Sequence, residues 1–308
     1  MIARLLAIGA VGGLLVVPHA AARPAADPGA DLLARVQARG TLVLSTDPAY
    51  PPQSYAVKKA QRLAGTRCAV NQLTTNQVAG YDADTAKLVA KALGVEPCFV
   101  TPTWSELISG HWSNRWDIAF GSIGITYERM KRLFYTQPYS AEAERFFVRK
   151  SSPVTKVEQL SAKRLGGCGG CFAQYYIQRT LRLPGEQVRY NVAHATFVGY
   201  DVESNGLAAV AHGKLDAFLC GVAVGAKAID GGLSLRAVGG DQYVAYISGA
   251  VDRFSSLSVA SFVSRVNGIV RQLQASGTLR RLSLHYFGVD FATKARSFDV
   301  SRLKQGIH

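Results

Sequence analysis

The stretch Asp117-Ile-Ala-Phe-Gly-Ser-Ile-Gly-Ile-Thr-Tyr-Glu-Arg129 decides how the rest of the chain is read. Residues Asp117 to Ser122 form a short apolar run of the kind a buried strand makes. Thr126 has the side chain to cap a short helical turn, and that turn carries Arg129. Strand followed by helical turn is one unit of an α/β chain, and more such units appear on both sides of it.

Toward the N-terminus, Asp31 to Arg39 reads as a short helix stopped by Gly40. Thr41-Leu-Val-Leu-Ser-Thr46 reads as a buried strand, and Asp47-Pro-Ala-Tyr-Pro-Pro52 as the turn after it. Residues 56–79 are polar and poorly periodic, which predicts a surface insertion. A helix is expected from Asp84 to Leu93, with Asp82 or Asp84 as its cap and Gly94 as its stop. Glu96 to Thr101 is the next strand. Toward the C-terminus, Phe146-Phe-Val148 is β-prone and Lys150-Ser-Ser-Pro153 looks like a linker end, so a boundary falls near 146–153. Strand–helix alternation then resumes. Strands are expected at Arg164–Gly167, Val188–Asn191 and Leu215–Cys220, and helices at Phe172–Leu181 and Ser204–His212. Such alternation favours a largely parallel sheet. The chain changes character again near 241–249. Beyond it, Val259, Phe262, Val263, Val266, Ile269, Val270 and Leu273 line one face of an amphipathic helix, with Gly277 closing it. This order fits one discontinuous lobe interrupted by a complete second one.

Composition agrees with a folded two-lobe chain. The sequence has 308 residues, 48% hydrophobic and 18% charged, which excludes disorder as the main state. Residues 1–22 read as a secretory signal: Arg4, an apolar run from Leu5 to Val17, and Ala20-Ala-Ala22 before the cleavage point. The absence of a cysteine near that point argues against a lipid anchor. The expected mature chain is exported and soluble. A formal charge of +14 raises the question of nucleic acid, but the basic residues are scattered and no basic run is interleaved with aromatics. Nucleic acid is therefore not an expected partner; anionic surfaces or solutes suit the charge better. Five cysteines, Cys68, Cys98, Cys168, Cys171 and Cys220, fit an oxidising compartment, and their odd number leaves one thiol over. Cys168-Gly-Gly-Cys171 lacks the second pair a zinc site needs. No G-x-S-x-G or H-E-x-x-H motif is present, and no cofactor is implied.

Taken together, Leu42-Val-Leu-Ser-Thr-Asp-Pro-Ala-Tyr-Pro-Pro52, Gly80-Tyr-Asp-Ala-Asp84, Trp104-Ser-Glu-Leu-Ile108, the Asp117–Arg129 stretch and Phe134-Tyr-Thr-Gln-Pro-Tyr139 form an ordered set. With Gly277-Thr-Leu279 and Tyr286-Phe-Gly288, that set resembles the bacterial extracellular solute-binding proteins of family 3, over residues 38–288. The resemblance implies a type II periplasmic-binding α/β fold, two lobes joined by a two-strand hinge. Lobe 1 is residues 31–146 plus 247–290, lobe 2 is 147–246, and 291–308 is a C-terminal surface extension. It also implies a periplasmic, monomeric, non-enzymatic receptor. Its partners would be a small-molecule solute and the membrane permease of an ABC importer.

The resemblance assigns candidate ligand contacts. Arg129 matches the arginine that grips an α-carboxylate, a task suited to its planar fork of donors. Asp47 matches a position that reaches cationic side chains, although an Asx-turn before Pro48 is the alternative. Tyr50 and Trp104 match residues that sandwich the ligand. Ser122 matches a backbone or hydroxyl contact, while Gly121 and Gly124 stand where many relatives have Ser or Thr. Cys171, at an expected helix start, is a candidate on the lobe-two wall, with a disulfide as its competing role. Gly221 stands where amino-acid receptors carry the acid that pairs with the ligand's ammonium. A small carboxylate-bearing solute, a polar or basic amino acid above all, is the expected ligand.

For the cysteines, Cys68 is expected to pair with Cys98, and family topology places Cys220 near Cys168 or Cys171. Two other functions stay open. One is an exported enzyme resembling cyclohexadienyl dehydratase, although Cys171-Phe-Ala-Gln-Tyr175 lacks the acid those relatives use. The other is a stand-alone accessory or sensory binding protein.

Overall fold

Two long strands hold the fold together: β7 (Leu133–Arg149) and β11 (Leu235–Asp252). They pair antiparallel from Leu235–Arg149 at one end to Asp252–Leu133 at the other, with register shifts between Val238 and Tyr243 and again between Ile247 and Ala250. The computed structural model describes residues 30–307, so the secretory signal expected at 1–22 lies outside the described residues.

Each side of this pair carries a wing. On one side stand β1 (Thr41–Ser45), β5 (Glu96–Val100) and β6 (Ile118–Ala119), with β1 parallel to both others and β6 joined to β11. On the other stand β8 (Arg164–Cys168), β9 (Thr196–Tyr200) and β10 (Ala217–Gly221), with β8 parallel to both others and β10 antiparallel to β7. The result is one eight-stranded sheet, β5-β1-β6-β11-β7-β10-β8-β9. Each wing is parallel, as the strand–helix alternation predicts. A separate small sheet is formed by β2 (Ala49–Tyr50), β3 (Ser54–Ala56) and β4 (Val78–Ala79).

Helices cover both wings. The first wing has α1 (Leu32–Arg39), α2 (Tyr81–Leu93), α3 (Trp104–Ser109) and α4 (Tyr127–Met130). The second has α5 (Phe172–Ile177), α6 (Glu203–Ala211) and α7 (Val222–Asp230). The chain then returns through α8 (Ala260–Ala275), α9 (Thr278–Phe287) and α10 (Ala292–Arg296). Asp31 caps α1 through Ala34 N–H, and Gly40 ends it at φ 70. The apolar face of α8 is buried through Phe262, Val263, Val266, Ile269 and Val270.

Several expectations are corrected by local bonding. Gly80, not Asp82 or Asp84, stands at the start of α2, where a Cβ would come within 2.4 Å of the Gln53 carbonyl. Asp82 lies inside the helix, fully buried. Val188–Asn191 is not a strand. The Tyr176 hydroxyl donates to the Arg189 carbonyl and accepts from Asn191 N–H, satisfying backbone groups that a ladder would otherwise pair. The outer strand is β9 instead. The segment beyond 290 is docked rather than superficial: Phe291, Ala292, Ala295 and Val300 are buried, and the Gln305 amide pairs with both backbone groups of Tyr135.

The polar insertion is tied down twice. Leu73 and Phe99 exchange backbone hydrogen bonds at 2.8 and 2.9 Å, and Cys68 is bonded to Cys98 across a separation of 30 residues. The second bridge differs from the expected one: Cys168 bonds to Cys171, and Cys220 is free and buried. The cause is geometric. The two turn cysteines have Cα atoms 5.3 Å apart, inside disulfide reach. The β8–β10 ladder ends at Gly166–Phe218, two residues short of Cys220.

Thiol titration in denaturant without reductant is expected to find one free thiol per chain, and five after reduction. Replacing Cys68 and Cys98 together by serine should cost about 3–4 kcal/mol in urea unfolding, the chain-entropy value for a loop of this size. Three or more thiols before reduction would contradict this pairing.

Candidate functional site

The loops that leave the two wings meet beside the β7–β11 pair. From the first wing come Tyr50, Trp104 and the segment Gly121–Arg129. From the second come the Cys168–Cys171 turn, the start of α5 and the first turn of α6. Three contacts join them. Arg129 Nη2 donates to the Gly170 carbonyl at 3.4 Å, and Tyr50 Oη donates to Glu203 Oε2 at 3.2 Å. Gly124 lies under the Phe172 ring so closely that a Cβ there would be 2.0 Å from it. That contact accounts for glycine at 124: a Ser or Thr side chain would collide with Phe172.

Arg129 is built in with care. The Thr126 hydroxyl accepts from Arg129 N–H, capping α4 as the sequence predicts. Nη1 donates to the Gly124 carbonyl at 3.0 Å. The guanidinium lies over Trp104 at 4.9 Å and over Phe172 at 5.0 Å, a favourable setting for a cation. The residue is only 6% exposed, and it makes no ion pair with a carboxylate among the described residues. Burial lowers its pKa from an ordinary arginine's. Beside it the Trp104 indole N–H is buried without an acceptor.

A second group of side chains was not singled out from sequence. In the sheet, Gly221 of β10 pairs with Glu144 of β7, and Glu144 pairs in turn with Tyr243 of β11. Lateral neighbours in a sheet share a face, and Glu142, two residues along, shares it too. A Cβ at Gly221 would lie 3.8 Å from Glu142 Oε2 and 3.9 Å from Glu144 Oε1. The space in front of Gly221 therefore holds two carboxylates from the adjacent strand. Glu203, in the first turn of α6, adds a third. None of the three takes part in an ion pair among the described residues. Burial, then the fields of Asp82 and Glu203, pushes Glu142 up to about 8. Burial lifts Glu203 to about 7 against the Tyr50 bond. Burial and the other two acids hold Glu144 well above the carboxylate range. The Tyr243 hydroxyl is buried without a partner.

The remaining candidates are placed as follows. Ser122, at φ 52, turns its hydroxyl to Asp82 Oδ2 at 2.7 Å. Tyr139 donates to the other oxygen at 2.9 Å, and burial still raises Asp82 to about 6. Asp47 is exposed and accepts from Ala49 N–H at 2.9 Å, the Asx-turn that was its alternative reading. A Cβ at Gly121 would lie 3.6 Å from the Asp47 and Thr46 backbone. Cys171 is held in the disulfide and has no thiol to offer a ligand. Phe172, Glu142, Glu144, Glu203 and Tyr243 are the residues that sequence reading missed. The Glu-x-Glu spacing just before the β-prone Phe146-Phe-Val148 was the available signal for two of them. A surface groove of about 510 Å³ lies away from this region, between Gln137, Arg271, Arg296 and Phe298. One of its two arginines, Arg271, is already paired with Asp299. Among the described residues no helix is long and apolar enough to cross a membrane, and no cluster has the ligands to hold a metal.

Residues 42–289 match the family model described as bacterial extracellular solute-binding proteins, family 3. The L-cystine-binding protein TcyJ of Escherichia coli K12 is 25% identical over 262 residues, 84% of this chain and 87% of that protein. The ABC transporter arginine-binding protein 1 of the same organism is 24% identical, covering 69% of this chain and 83% of its own. Among solved structures, the ancestral amino acid-binding protein AncCDT-1, described as a precursor of cyclohexadienyl dehydratase, superposes with a TM-score of 0.65. It is 23% identical, and the match covers 84% of this chain and all of that one. Both curated relatives are named as binding proteins.

The raised carboxyls fix how stability depends on pH. Glu142, Glu203 and Asp82 bind protons more tightly in the folded chain, at about 8, 7 and 6, than a free carboxyl does. Their contribution is therefore complete at low pH and is lost as pH rises through those values. Ligand-stripped protein is expected to melt lower at pH 8.5 than at pH 5.5, and Glu142→Gln should flatten that slope. A melting temperature that rises over this interval would contradict the burial of these acids.

Proposed function

The chain belongs to the bacterial extracellular solute-binding proteins of family 3, and we propose that it is the periplasmic binding component of an ABC importer. Its ligand is a small carboxylate-bearing solute, a polar or basic amino acid, held where the two wings meet. The observation that carries this reading is Arg129: a buried guanidinium over both Trp104 and Phe172, with no carboxylate paired to it among the described residues. A buried charge without a counter-charge is costly, and a ligand carboxylate is the counter-charge this position lacks. The planar fork matches a carboxylate in two parallel hydrogen bonds.

On this reading β7 and β11 are the hinge. Lobe 1 comprises 31–146 plus 247–290 and lobe 2 comprises 147–246, and closing the lobes brings Trp104 and Tyr50 onto the ligand from one side and the first turn of α6 from the other, while Gly124 and Phe172 close directly on each other. Hinge closure around a solute is a recognised mode of switching, and the closed form is what an importer's permease would recognise. The backbone around Gly121, Ser122 and Gly124 supplies N–H donors in place of the hydroxyls other receptors use. The receptor works as an exported monomer.

A thermal-shift screen of unfolded and refolded protein against amino acids and small organic acids tests the reading, since refolding strips any carried ligand. A ligand at 100 times its dissociation constant should stabilise the protein by about 2.7 kcal/mol. Arg129→Ala is expected to weaken that ligand by at least about 10- to 150-fold in calorimetry, the worth of hydrogen bonds to a charged group, without loss of fold. Unchanged affinity would remove Arg129 from the site.

A further inference from the structure

We propose that Glu142, Glu144 and Glu203, with the Tyr243 hydroxyl, form a second subsite that takes two cationic nitrogens, so the ligand is an α-amino acid with a basic side chain. The inference rests on the receptor reading above and deepens it.

Placement is the first argument. Glycine at 221 removes a carboxylate from β10, but Glu144 is its direct neighbour on β7, and the Glu142 and Glu144 oxygens stand within 3.9 Å of where a Cβ at 221 would be. The acid has moved one strand sideways, and the longer glutamate side chain makes up the distance. Orphaned polar groups are the second argument. Tyr243 is 2% exposed, its hydroxyl has no partner, and it is the cross-strand neighbour of Glu144 on the same face. Burial and the fields of Glu144 and Glu203 raise its pKa, in keeping with that placement. Glu142 is 7% exposed and has only a 3.4 Å contact from Ser140. Buried polar groups in native proteins are otherwise bonded.

Charge balance is the third argument. The titratable and charged groups around the three acids are Tyr50, Tyr81, Asp82, Tyr139, Cys220 and Tyr243, none of them a cation. Arg129 interacts with Tyr243 but pairs with none of the acids. Arg145, the nearest basic residue along β7, is paired with Asp241. A neutral-side-chain amino acid brings one ammonium to three carboxylates. A basic one brings two cations, and Glu203 keeps the Tyr50 bond. The buried guanidinium of Arg129, which forms no ion pair among the described residues, matches one ligand carboxylate.

Calorimetry of refolded protein with L-arginine, L-lysine, L-norleucine and cadaverine tests the proposal. Norleucine keeps the α-amino acid and the alkyl chain but lacks the terminal cation; cadaverine lacks the carboxylate. The better of arginine and lysine is expected to bind about 10- to 150-fold tighter than norleucine. Glu144→Gln should lower that affinity at least about tenfold, and adding Gly221→Asp should restore part of it by returning the acid to β10. A merely structural glutamate would not be rescued in this way. Norleucine binding as tightly as lysine and arginine, or unchanged affinity in Glu144→Gln, would overturn the cation subsite while leaving the receptor reading intact. Cadaverine binding as tightly as lysine would overturn the role of Arg129 and leave the cation subsite standing. If none of the four binds, both fall.

Discussion

The antiparallel pairing of β7 with β11 is the constraint on which the rest depends. It is the only ladder that spans both wings among the described residues, so it joins two parallel sheets into one. It also sets the chemistry of the region between them. Its register places Glu144 beside Tyr243, and the next strand over places Gly221 beside Glu144. A slip of one residue would turn every side chain to the opposite face and remove the acids from that space. The docked α10 segment and the Gln305 pairing with Tyr135 secure the C-terminal segment against β7, while the Cys68–Cys98 bridge ties the insertion to β5 at the sheet edge.

A second constraint follows from burial. Arg129 and Glu142 are buried and Glu144 and Glu203 half-buried, and among the described residues none of the four forms an ion pair. Native structures seldom leave buried charges uncompensated, because the desolvation cost is several kcal/mol per ion. The molecule departs from that rule at Arg129, and in the same inter-wing region it holds three acids whose raised pKa values a ligand cation would bring back down. Such departures mark functional sites more often than structural ones. A zwitterion with an added cation has the charge pattern complementary to both.

Much of the fold was legible in the sequence because it rests on periodicity and stop signals. The α1 helix, with Asp31 before it and Gly40 after it, and the apolar face of α8 follow directly. Arg129 was legible because Thr126 and the preceding strand give it a recognisable local frame. The acids were not. Glu142 and Glu144 lie in an Ala-Glu-Ala-Glu run at the edge of an apolar segment, which reads as a solvated boundary; only the passage of β7 through both wings buries Glu142 and half-buries Glu144. Glu203 reads as an ordinary first-turn acid favoured by the helix dipole. The outer strand was misplaced because one tyrosine hydroxyl, from Tyr176, does for residues 189–191 what a ladder would have done. Cys220 was mispaired because strand order alone does not say where a ladder ends. Each miss came from a contact distant in sequence.

The measurement that tests the account most directly is a crystal structure of the refolded protein with L-arginine or L-lysine bound. The account predicts the ligand between the wings, its carboxylate on the Arg129 guanidinium, and its two cationic groups among Glu142, Glu144 and Glu203. A ligand lodged elsewhere, or one whose carboxylate avoids Arg129 while its nitrogens face solvent, would contradict it.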